Sequence, residues 1–226
     1  RIGARLRVHA PYNEYVTMDA IRHFAQGTGD DNPLFCDPKY AQKTRWGNVM
    51  APPLFYRSSG VDEKTEWTPP ERELARDALS GIHSWYSGDT IHWLQPLHPG
   101  DQLFERRFVK DYIEKSSSFA GRTVIEVHRS EYLNQRGELV IVSDQQAIRG
   151  GRQKSWGDRK KYAEYTRPMY TVEEIKHIDA AYASEIRRGA DPLYWEDVTM
   201  GDALPPRVKG PITVTDFMFW NMGYGI

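Results

Sequence analysis

The chain has 226 residues, 30 of them basic and 31 acidic, for a formal net charge of −1 at pH 7. That length supports a real core in one large or two small domains, and the balanced charge gives no basis for a nucleic-acid or membrane-surface partner. A single cysteine, Cys36, excludes an internal disulfide framework and a cysteine metal cluster, and it suits a reducing, cytoplasmic setting. No apolar run approaches the roughly 20 residues of a membrane span, and no charged-then-apolar leader opens the chain. Beginning at Arg1 instead of Met, the sequence reads as lacking its first residues.

In chain order, Arg5 to His9 alternates and predicts a strand. Thr17 caps a helix with Ala20, Ile21, Phe24 and Ala25 on one face, closed by Gly27 and Gly29. Asp37-Pro38 is an N-cap followed by proline at the first helical position, starting a short helix through Tyr40 and Ala41. A more buried helix is expected after Pro52-Pro53, carrying Leu54, Phe55 and Tyr56. Residues 61–79, polar and interrupted by proline, read as a long loop.

From Ile82 the apolar period changes to two. Strands are expected over 82–94, 103–113, 123–132 and 139–148, with turns at His98-Pro99-Gly100-Asp101 and Asn134-Gln135-Arg136-Gly137. A helix followed by an antiparallel meander argues for α+β, with the sheet wrapped on the helix. The charged run 150–165, with Arg152, Lys154, Arg159, Lys160 and Lys161, reads as a solvated linker. Thr171 and Glu174 form a capping box opening a helix to Arg188, stopped at Gly189. Its stripe of Ile175, Ile178, Ala181, Tyr182 and Ile186 suits a packed bridging helix.

The last segment repeats the first. A shift of 196 sets Thr17 against Thr213, Ile21 against Phe217, Phe24 against Trp220, Gly27 against Gly223 and Gly29 against Gly225. At this shift Asp30 meets Ile226, the last residue, so the second copy stops where its own version of the next motif would start. That reads as truncation. The domain reading is therefore 1–150 as the first unit, 151–190 as a linker with a bridging helix, and 191–226 as the start of a second unit.

The next motif is Asp30-Asp31-Asn32-Pro33-Leu34-Phe35. It has the outline Asp-x-Asn-Pro-x-His, in which a carboxylate and an imidazole share one water. Phe35 stands where the imidazole belongs, so the frame of an active site is kept while its base is gone. Asp30 is the candidate for residual acid/base work, and a turn or cap role is its structural alternative.

These residues resemble the MaoC-like dehydratase/hydratase family, and in particular the N-terminal, FAS1-like half of its double-hot-dog members. The resemblance is carried by Asp30 to Ala41, by Trp46-Gly47-Asn48-Val49-Met50-Ala51-Pro52-Pro53, by Gln95-Pro96-Leu97-His98-Pro99-Gly100-Asp101, and by Trp195 to Asp202 as the opening of a second hot dog. It implies a hot-dog fold and the addition of water to an enoyl thioester, or its removal from a 3-hydroxyacyl thioester. In that chemistry an Asp and a His handle water and proton, and a backbone N–H polarises the thioester carbonyl. The carbonyl-binding glycine falls at about Pro52, which has no N–H. With Phe35 and Pro52 both disabling, this half is expected to be non-catalytic, shaping the acyl pocket through Asn32, Phe35, Trp46 and Pro52. Phe35, Leu34 and Trp46 read either as core or as the lining of an apolar tunnel.

The resemblance implies no cofactor; the CoA or carrier-protein thioester is substrate. It implies a partner: a second hot dog in the same chain or a separate hydratase subunit, in a homo- or hetero-oligomer. The alternative reading is a stand-alone non-catalytic subunit that binds acyl chains or scaffolds a hydratase chain. A hot-dog thioesterase ranks last, because no carboxylate follows Pro53 until Asp62. Among the histidines, His83 and His92 lie nine apart and face opposite sides of a regular strand, which argues against a shared metal. Cys36 has no activating cation beside it and reads as inert.

Overall fold

The alternating pattern beyond Ile82 forms the sheet. The computed structural model describes residues 1–117, 121–150, 166, 168–186, 189, 191 and 193–225. It contains strands β1 (Arg5–Leu6), β2 (Val61–Asp62), β3 (His83–Trp93), β4 (Leu103–Ser117), β5 (Gly121–Asn134) and β6 (Leu139–Gly150). Their order across the sheet is β1-β4-β5-β6-β3, with β2 pairing β4 in parallel; the four long strands are antiparallel neighbours. The first strand is shorter than its alternating pattern, two residues in place of five.

Helix α1 (Met18–Gly27) lies on the inner face of this sheet. Thr17 caps it by accepting the Ala20 N–H at 3.1 Å, and Ile21, Phe24 and Ala25 are buried. Short helices α2 (Pro33–Cys36) and α3 (Pro38–Ala41) follow, the second capped by Asp37 as its sequence requires. The core joins Ile21 and Phe24 to Phe55, Leu103, Tyr132 and Ile141. Phe24 meets Phe55 edge-on, with ring centroids 5.6 Å apart.

Two expectations fail locally. The helix after Pro53 is a single 3-10 turn, Phe55–Ser58. The Ser58 hydroxyl donates back to the Phe55 carbonyl and Ser59 donates to Asn13 O, after which Gly60, at φ +116°, sends the chain into β2. The stretch 61–79 is not a plain loop: besides β2 it holds α4 (Pro69–Leu74), whose start is tied by the Glu71 carboxylate accepting the Thr68 N–H at 2.9 Å.

Beyond the sheet, α5 (Val172–Ala183) opens with the expected Thr171/Glu174 box but ends at Ser184, short of Arg188. None of its residues is buried, and Ile175 and Tyr182 are exposed, so its apolar stripe is not packed among the described residues. The basic run 152–161 lies outside the described residues. The repeat is realised in full: α6 (Val214–Tyr224) starts at the Thr213 cap and packs across α1. The crossing is reciprocal. A Cβ on Gly27 would meet Gly223 Cα at 2.6 Å and Phe219 O at 2.7 Å; one on Gly223 would meet Gly27 Cα and His23 O, each at 2.7 Å. Because 23 maps to 219 and 27 to 223, the two glycines seat the helices about a local pseudo-two-fold axis.

Candidate functional site

The loop after α1 carries the motif, and its polar groups are engaged in holding it. Asp30 takes its place through its N–H on Ala25 O at 2.8 Å, and its carboxylate accepts the Asn32 N–H at 3.0 Å. Asn32 in turn accepts the Leu34 N–H at 3.0 Å and caps α2. Phe35 is 6% exposed and belongs to the core. Burial, with Asp30 and Asp31 nearby, pushes the Cys36 thiol up, away from the reactive thiolate.

The second motif stretch braces the third. Val49 O meets His98 Nδ1 at 2.8 Å, and the Ala51 N–H donates to Leu97 O at 2.8 Å. With that N–H committed and Pro52 and Pro53 having none, positions 51–53 offer no donor to a thioester carbonyl. Trp46, exposed, lies under the Arg45 guanidinium at 4.5 Å. Of the proposed site residues, Asp30, Asn32 and Phe35 are brought together on one loop; Trp46 and Pro52 lie on the next. None of the five lines the cavity described below.

That cavity, about 240 Å3, opens between the sheet's inner face and the end of α6. Strand register decides its lining. Glu105 pairs with Tyr132, which pairs with Ile141; Arg107 pairs with Ser130, which pairs with Ser143. All of these share the face that carries Leu103 and meets α1, so this face is apolar under the helix and polar beyond it. The Ser130 hydroxyl donates to Glu105 Oε1 at 2.6 Å, and Arg107 donates to Gln145 Oε1 at 2.8 Å. Tyr56, fully buried, reaches Ser143 Oγ at 3.3 Å and packs edge-on against Tyr132 with centroids 5.0 Å apart. Arg57 pairs with Asp89 at one side of the wall, and Tyr224 and Gly225 close the other.

Burial sets the electrostatics. It pushes the Glu105 carboxyl up from its ordinary value, against the opposing pull of Ser130 and Arg107, and drives the Tyr132 phenol well up. The site is therefore a buried, donor-rich chamber around one buried carboxyl. Sequence reading missed it. Its residues alternate along β4, β5 and β6, and polar residues at strand spacing read equally well as a solvated face.

The histidine expectation is also corrected. A bulge between Tyr86 and Gly88 changes parity, so that His83 opposes Gly150 and His92 opposes Val142, eight residues apart on β6. The two histidines share a face but stand roughly 26 Å apart at strand rise. Among the described residues no group of three His, Cys, Asp or Glu side chains is arranged to hold a metal ion.

An antiparallel sheet wrapped on one helix is the hot-dog fold. A solved MaoC-like dehydratase is similar over 100% of this chain and 66% of its own, at TM-score 0.62 and 16% identity. The ChsH1–ChsH2 complex of Mycobacterium tuberculosis is similar over 62% of this chain and 85% of that one, at TM-score 0.52 and 14% identity. The family model described as FAS1-like, dehydratase domain region matches residues 2–143, and the chain belongs to that family. A UPF0336 protein of Streptomyces avermitilis is 30% identical over 144 residues, 61% of this chain and 86% of the relative.

Proposed function

We propose that this chain is the substrate-shaping half of a cytoplasmic acyl-thioester hydratase/dehydratase, and that the Asp/His pair comes from a second hot-dog unit. In that reaction water oxygen bonds to the β carbon of an enoyl thioester while a proton goes to the α carbon, or the reverse. The observation that carries the reading is the state of the motif loop: Phe35 is core, and the Asp30 carboxylate is bonded to the Asn32 N–H. An imidazole is absent from the frame, and the 51–53 segment has no N–H to spare for the carbonyl.

The second unit would come from the same polypeptide. The repeat maps Thr28-Gly29 onto Tyr224-Gly225, and these residues border the cavity. A hydration loop following α6, as Asp30 follows α1, would therefore start beside the chamber, with the acyl group entering it from the reacting end. The reciprocal Gly27/Gly223 crossing supports a pairing of two like units.

The test is turnover of short enoyl-CoA thioesters by the full-length chain and its Asp30→Asn variant. The expected result is hydration with kcat/KM changed by no more than about twofold in the variant. A loss of roughly a hundredfold or more, the scale of a lost acid/base group, would return catalysis to this loop. Phe35→His is expected to leave turnover where it was, since Pro52 still withholds the carbonyl contact.

A further inference from the structure

An acyl pocket for a plain alkyl chain needs apolar walls, because displacing water from a buried polar group without replacing its hydrogen bond is costly. The chamber beside Tyr224 has the opposite lining. Glu105 is 6% exposed and Ser130 8%, and both border it. Glu105 and Arg107 keep hydrogen-bonding capacity beyond their protein partners. A carboxyl has room for about four hydrogen bonds and a guanidinium supplies five N–H donors. Glu105 Oε1 receives Ser130 and its carboxyl is also bonded by the Tyr132 hydroxyl, while Arg107 gives one nitrogen to Gln145 and that same nitrogen approaches His128 Nδ1 at 3.4 Å.

The polar lining is also not explained by folding. Leu103, two residues before Glu105 on β4, and Ile141, in the same cross-strand row as Glu105 and Tyr132, show that this face accepts apolar side chains where α1 covers it. The change from apolar to polar falls where the helix cover gives way to the cavity. Gly60 keeps the space open: it holds φ +116°, and a Cβ there would come within 2.9 Å of the Tyr132 ring.

From this geometry we infer that the acyl group received by the chamber carries a further oxygen function besides the reacting one at the β carbon, a keto or hydroxyl oxygen, bonded by Arg107, Glu105 and the hydroxyls around them. The inference rests on the proposed acyl-thioester reading and narrows its substrate class from acyl chains in general to oxygenated ones. Arg107 donates to the ligand oxygen, and Glu105 bonds a hydroxyl there. Both are binding residues here, and the bond-making step stays with the second unit.

The experiment is calorimetric binding of saturated acyl-CoA thioesters to the full-length chain. Plain chains of several lengths are compared with analogues of equal length whose keto oxygen is stepped along the chain. At one position beyond the β carbon the keto analogue is expected to bind on the order of tenfold more tightly than the plain chain, the scale of one or two well-made hydrogen bonds; a preference confined to the β position would overturn the inference. Arg107→Met is expected to abolish that preference while leaving plain-chain affinity equal or higher. Glu105→Gln, isosteric with the native residue, is expected to reduce the preference and serves if the methionine variant does not fold. Plain chains binding as well as or better than every keto analogue would overturn the inference and leave the acyl-thioester reading standing. Binding of neither series at millimolar thioester would overturn both.

Discussion

Helices α1 and α6 are written in the same local code and meet different fates. Each starts at a threonine in extended backbone, with φ/ψ of −112°/158° at Thr17 and −108°/169° at Thr213, and each cap oxygen accepts the N–H three residues on. Each is followed by a glycine of positive φ, Gly29 at +67° and Gly225 at +85°. Yet Ile21 is 0% exposed and its counterpart Phe217 is 60% exposed. The caps act within one turn and need nothing else; burial needs a sheet. The first helix has one, whereas the second packs chiefly on the first helix and reaches the sheet side only at its end, through Tyr224.

The largest test of that contrast is a matched pair of truncations. Phe24→Ala should cost about 3–5 kcal/mol of unfolding free energy, since it empties the centre of the α1 core. Trp220→Ala, its partner under the repeat, should cost below about 1 kcal/mol, because Trp220 stacks on Tyr224 at 4.6 Å without being buried. Urea unfolding of the full-length chain reads both. Equal costs would mean that α6 is covered as deeply as α1, which would break the comparison.

A second pair probes what the helices share. Gly27→Ala and Gly223→Ala each drive a Cβ to within 2.7 Å of the opposite helix backbone. Both should destabilise by about 1–3 kcal/mol, and by similar amounts, because the contact is reciprocal. Thermal melts of the two variants sharpen the pseudo-two-fold description if they coincide and break it if only one is affected.

The smallest effect is confined to the outer face of the sheet. There the hydrogen bond from Arg129, with Lys110 adding to it, holds the Asp144 carboxyl down at about 2 against an ordinary value of 3.8. A depressed carboxylate contributes stability that is present above the unfolded value and lost as pH falls through the folded one. Here the window runs from about pH 4 down to about 2. Asp144→Asn should therefore lose roughly 1–2 kcal/mol near neutrality, solvent screening included, with the difference from the native chain closing in that window. A difference that persists at pH 2 would assign the effect to packing.

Much of the fold was legible because its signals are short-ranged. Thr17, Asp37, the Thr171/Glu174 box and the Asn134–Gly137 turn each act over two to four residues, and each stands where its residues put it. The 3-10 turn at Phe55 was not legible, because what cuts it short includes a serine bond to Asn13, 46 residues away. The bulge at Tyr86/Gly88 was invisible for a related reason: it exists only as a mismatch between two strands. In the motif stretches the sequence sufficed to place a phenyl ring at Phe35 and a residue without an N–H at Pro52, since both are properties of single residues.

The amino-acid sequence by itself determined the hot-dog family, the capped helices, the repeat between Thr17 and Thr213, and the presence of Phe35 and Pro52 in the motif stretches. Only the tertiary structure decided which strand residues face inward. Glu105, Arg107, Ser130 and Tyr132 become a chamber because register sets them on the face of Leu103, while Tyr224 arrives from far along the chain to close it. The physical reason is one of range. Caps and turns are settled by bonds within a few residues, whereas a cavity is the space left among side chains that pairing and packing bring together.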